Sequence, residues 1–138
     1  MLVAQTTSPV VLVVEDEPSV QGSLCRLLQH HGFAPLHAET VKAALKILGR
    51  TQVDAVILDL GLPHPGSFKP SGLTLLTYLR LTPHYDTLPV LIVTGKTLTP
   101  EEQDVIRRYH ASLFYKPQAY ETLVESLYCL IVQHPPAA

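Results

Sequence analysis

At 138 residues, with 46% hydrophobic and 16% charged side chains and a formal net charge of -2, the chain has the make-up of one globular domain, which excludes extended disorder. So weak a negative charge leaves no basic footprint for direct binding of nucleic acid. No apolar run approaches the roughly 18 residues of a membrane helix, and Met1 to Pro9 lacks the features of a signal peptide, so no membrane is expected and the cytoplasm is the expected location.

Residues 1–9 read as a flexible extension ahead of a domain over 10–133. Val10 to Val14 is a β-branched strand that ends on three acids, Glu15, Asp16 and Glu17. Pro18 then opens a helix expected over Ser19 to His31, with Val20, Leu24, Leu27 and Leu28 on one stripe and Gly32 past its end. A strand over 33–37 leads to a helix over Glu39 to Leu48, closed by Gly49. The apolar strand 53–58 runs directly into Asp59. A third helix spans Gly72 to Leu81, and the strand 89–93 ends at Thr94-Gly95. Thr99-Pro100-Glu101-Glu102 starts a fourth helix, with a capping hydroxyl, proline in the first turn and acids at the positive end. Strand 112–115 runs into Lys116-Pro117. The last helix, Tyr120 to Val132, turns Leu123, Leu127 and Leu130 to the sheet, while Tyr120, Val124, Tyr128 and Ile131 form either an exposed partner stripe or part of a wide buried face. Residues 134–138 read as a C-terminal tail.

Cys25 and Cys129 are too few for a disulfide framework or a structural zinc site and read as packed thiols, and the seven histidines show no ligand spacing. Alternating apolar strands and periodic helices define an α/β fold, a doubly wound five-stranded parallel sheet with helices on both faces. In such sheets ligands bind beyond the carboxyl ends of the strands where strand order reverses. Here that point falls between the strands ending at Val14 and Leu58, and both end in carboxylates. Crowded carboxylates resist ionising together unless a cation joins them, so the acids form a candidate site for a hard divalent metal, magnesium first. Thr94 adds a hydroxyl and Lys116 an ammonium to the same rim. A metal, a fixed cation, a neutral donor and an in-line nucleophile are what a transferring phosphoryl group requires.

Val11-Leu12-Val13-Val14-Glu15-Asp16-Glu17-Pro18, Leu58-Asp59-Leu60-Gly61-Leu62-Pro63, Thr94-Gly95 and Lys116-Pro117 resemble the receiver domain of bacterial two-component response regulators, in its single-domain form, over nearly the whole chain. The resemblance implies a flavodoxin-like sheet of order 2-1-3-4-5. It implies that Asp59 accepts a phosphoryl group from a sensor histidine kinase or a histidine phosphotransfer protein. Asp16, with Glu15 beside it, would hold Mg2+ together with Asp59 and the backbone carbonyl of Gly61. Lys116 would pair with the phosphoryl oxygens, and Thr94 would donate its hydroxyl to one of them. Such a domain is a switch acting through a partner or homodimer surface, with autodephosphorylation rather than enzymatic turnover. The alternative is an interaction module of the same fold that never uses Asp59.

The chain departs from that family in two places. Pro63 to Gly72 is longer than the usual loop, and its three prolines make it either a stiff flap beside the site, with Lys69 adding positive charge, or a surface insertion without effect. Leu113 stands where an aromatic residue usually precedes the lysine by three positions, so coupled movement of Thr94 and an aromatic switch residue is not expected here. Thr94-Gly95-Lys96-Thr97 mimics the end of a phosphate-binding P-loop, but the earlier glycine would fall at Val90, inside a strand. A phosphatase using an aspartyl-phosphate lacks its second aspartate, replaced by Gly61.

Overall fold

Unbroken apolar runs along the inner strands give each of them two dry faces, which helices on both sides of a sheet cover. The computed structural model describes residues 8–60, 72–95, 97–115 and 120–133. Its elements are β1 (Val10–Val14), α1 (Pro18–His30), β2 (Ala34–Ala38), α2 (Val41–Arg50), β3 (Ala55–Leu60), α3 (Gly72–Leu81), a short 3-10 turn (Pro83–Tyr85), β4 (Val90–Thr94), α4 (Pro100–Arg108), β5 (Ser112–Tyr115) and α5 (Tyr120–Gln133). The strands form one parallel sheet in the order β2-β1-β3-β4-β5, as expected. Pro35 lies in β2, whose position at the edge tolerates the missing amide donor. The expected extension, but for Ser8 and Pro9, and the tail 134–138 lie outside the described residues. Among the described residues no helix is long and apolar enough to cross a membrane.

The period of two sorts the core. Leu12, Val14, Val56, Leu58, Val90 and Ile92 meet α2, α3 and α4 through residues such as Leu48, Leu76 and Ile106. Val11, Val13, Ala55, Ile57, Leu91 and Val93 meet α1 and α5 through Leu24, Leu28, Leu123 and Leu127. On α5 the expected adjoining stripe divides. Val124 is buried in the core and Ile131 packs against it, whereas Tyr128 is 61% exposed. Cys25 is half-buried, and burial pushes its thiol pKa up; Cys129 is exposed rather than packed.

Helix ends shift by one residue at α1 and at the close of α5, and by two at both ends of α2. α2 begins at Val41 because Thr40 is the cap, its Oγ1 accepting from the Ala43 amide at 3.0 Å. It continues through Gly49, which closes nothing. Elsewhere the signals act as read. Thr99 and Glu102 form a reciprocal capping box at the start of α4. Gly32, at φ 88°, ends α1 in a Schellman turn, with the Phe33 amide donating to Leu28 O at 2.9 Å.

The same turn ends α4 without a glycine: the Ala111 amide donates to Ile106 O, and His110 takes the left-handed position at φ 54°. Arg80 at the end of α3 supports it. Its guanidinium donates to Tyr109 O (2.7 Å), His110 O (3.4 Å) and Tyr85 O (3.2 Å). Burial lowers its pKa, with nearby Asp86 opposing the shift. Tyr85 in turn donates its hydroxyl to Leu48 O at 2.9 Å, and Asp54 Oδ2 accepts from the Val10 amide at 2.7 Å.

Arg80→Met should leave these carbonyls without their charged donor and lower stability by about 2 kcal/mol in a urea melt. His110→Gly should raise it by about 0.5 to 1 kcal/mol, since glycine takes the left-handed conformation without the Cβ clash.

Candidate functional site

β1 and β3 lie side by side, with Val14 opposite Leu58. Glu15 and Asp59 follow those two residues directly, so the sheet register brings carboxylates to neighbouring strand ends. The β3–β4 ladder runs two pairs further, through Asp59 opposite Val93 and Leu60 opposite Thr94. Asp59 therefore belongs to the strand instead of following it, because β4 keeps pairing after β1 has turned away. It is half-buried, and Asp16 is exposed. Thr94 is wholly buried at the end of β4. Its hydroxyl lies beneath the rim rather than on an open surface.

The loop from β1 to α1 is held tightly. The Glu15 amide donates to Ala38 O at 3.0 Å on β2. The Glu15 carbonyl accepts from Gln21 Nε2 at 3.0 Å, and its carboxylate, in a side chain 5% exposed, accepts from the Glu17 amide at 2.9 Å. Glu17 is the residue at the entry of α1, as expected, where its carboxylate accepts from Ser19 Oγ at 3.1 Å instead of capping a helix amide.

Gly61 and Lys116, two residues of the expected constellation, lie outside the described residues, as does the Pro63 to Ser71 part of the long loop with Lys69. The described part brings together Glu15, Asp16 and Asp59 at the ends of β1 and β3, with Thr94 beside them on β4. Among the described residues no group of three or more His, Cys, Asp or Glu side chains is arranged to hold a metal ion by itself. Magnesium keeps several waters and binds through one or two carboxylates plus phosphate oxygens. The donor set, hard carboxylate oxygens on two adjacent strands, fits the ion. Leu113 is half-buried, opposite Ile92, and packs against the α2–α4 side of the core. Tyr115 is exposed opposite Thr94.

The sequence reading passed over Gln21. The signal was available: Gln21 shares a helical stripe with Leu24 and Leu28, all buried, and a polar residue in such a stripe needs a partner.

The family model for the response regulator receiver domain matches residues 11–128. Over 97 residues the chain is 31% identical to the phosphate regulon transcriptional regulatory protein PhoB of Escherichia coli, a match covering 70% of this chain and 39% of PhoB. Over 126 residues it is 29% identical to response regulator MprA of Mycolicibacterium vanbaalenii, covering 91% of this chain and 52% of MprA. The chain thus spans less than two thirds of the length of these relatives. Among solved structures it is similar to the chemotaxis response regulator CheY4 of Vibrio cholerae, with a TM-score of 0.76 and 25% identity over 89% of this chain and 98% of that one. With the sheet order, the acids at adjacent strand ends and this match to most of its length, the chain belongs to the response regulator receiver family of two-component signal transduction.

Proposed function

We propose that this chain is a phosphorylation-dependent switch whose acceptor is Asp59. The observation that carries the reading is the register of three adjacent strands, which delivers Glu15 and Asp16, Asp59, and Thr94 to one end of the sheet. A carboxylate oxygen of Asp59 attacks the phosphorus of a phosphohistidine on a sensor kinase or phosphotransfer protein; the P–O bond forms as the P–N bond breaks, and the imidazole leaves. Asp16 and Asp59, with Glu15 beside them and the carbonyl of Gly61, would hold Mg2+. When bound, the ion neutralises charge on the phosphoryl oxygens and on the crowded acids. Lys116 supplies a fixed positive charge to the same oxygens, and Thr94 donates its hydroxyl to one of them. Hydrolysis of the acyl phosphate by water returns the domain to its resting state.

Output then leaves through a surface of the domain, toward a downstream protein or a second copy, in the cytoplasm. Leu113 has no hydroxyl to exchange between core and solvent. The change at Thr94 therefore passes through its packing and the segment that follows β4.

Incubation with acetyl phosphate and Mg2+ should add one phosphoryl group to the wild type by intact-mass measurement, and none to Asp59→Asn or after chelation of the metal. Lys116→Ala should slow the addition on the order of 100-fold, the usual effect of removing one charge-stabilising donor. No addition to the wild type would leave the interaction-module reading in its place.

A further inference from the structure

We infer that Gln21 is a positioning residue for the cation site, acting on Asp16 through the peptide bonds on either side of it; the inference rests on the magnesium-dependent reading above. A peptide unit is planar, so a hydrogen bond to its carbonyl or its amide orients the whole unit and the α-carbons at both ends. The unit preceding Asp16 carries the Glu15 carbonyl, which accepts from Gln21 Nε2 at 3.0 Å. The unit following Asp16 carries the Glu17 amide, which donates to Glu15 Oε1 at 2.9 Å. Both planes flanking Asp16 are thus held by side chains, one from α1 and one from the loop itself.

The anchors of these two clamps are themselves fixed. Gln21 is 8% exposed, on the stripe that buries Leu24 and Leu28 against the sheet, and its own amide donates to Glu17 O at 2.9 Å. The Glu15 amide is tied to Ala38 O on β2. Asp16 is exposed and its side chain is short. Partners behind a metal ligand commonly set how well that ligand is aimed. Glu15 accordingly serves the site twice, as nearby negative charge and as the acceptor that fixes the turn.

Gln21→Met keeps the length and burial of the side chain and deletes the donor. In calorimetric titration with Mg2+ it should raise Kd about tenfold relative to wild type. Gln21→Asn, polar but too short to reach Glu15 O, should do the same. Leu28→Ala on the same helix should lower Tm more than either and leave the Kd of the folded protein unchanged. Without metal, hydrogen exchange at the Glu17 amide should be faster in Gln21→Met than in wild type. Unchanged Kd and unchanged exchange in Gln21→Met, with wild type binding Mg2+, would overturn this inference alone. A wild type that binds no Mg2+ would remove the reading of the site and the inference with it.

Discussion

A strand buried on both faces has nowhere hydrated to place a charge except its last residues, and this constraint organises the domain. In β3, residues 55–58 are fully enclosed, alternating between the helices of one face and those of the other. An ionised carboxylate within that run would lose its hydration without a partner. Asp59 is the first position in the strand where partial exposure returns. After β1, enclosed from Val11 through Val14, exposure returns at Asp16, and Glu15 between them is buried with its carboxylate accepting from the Glu17 amide. Parallel pairing then sets these ends side by side, whereas antiparallel pairing would send them to opposite edges of the sheet.

Because the acids arrive on backbone that is still hydrogen-bonded, or has only just stopped being so, their spacing comes from the sheet instead of from side-chain packing. Thr94 has the most rigid setting, fully buried at the last pair of the β3–β4 ladder. Asp16 lies two residues beyond the ladder, and there the protein substitutes side-chain hydrogen bonds for strand pairing. The transition from sheet to helix therefore occurs within three residues without leaving the loop loose.

The inner strands were legible because burial on two faces writes itself as short apolar runs, their order through the family resemblance, and the α4 cap because Thr99, Pro100 and Glu102 have one good use together. Thr40 was available as a cap but was overlooked in favour of Glu39, which displaced the start of α2 by two residues. Gly49 misled because glycine is tolerated on the exposed side of a last helical turn. The reach of β3 through Asp59 was not legible, since it depends on how far β4 continues to pair, a non-local fact. On α5 the apolar pattern did not separate Val124 from Tyr128; only the position of α1 and Phe33 beneath the helix decides which is covered. Gln21 stood in plain view, but its partner is a backbone carbonyl and leaves no trace in residue types.

The hydrogen bonds of Arg80, Tyr85 and Asp54 all fall where helices finish and strands begin, at the end of the sheet opposite the carboxylates. They join α3 to the close of α4, the turn before β4 to the close of α2, and the start of β1 to the start of β3. The domain is thus laced at one pole and chemically equipped at the other. Side-chain cross-links between distant elements hold the pole where strands begin, while the pole that carries the acids takes its shape from strand pairing and the β1–α1 loop.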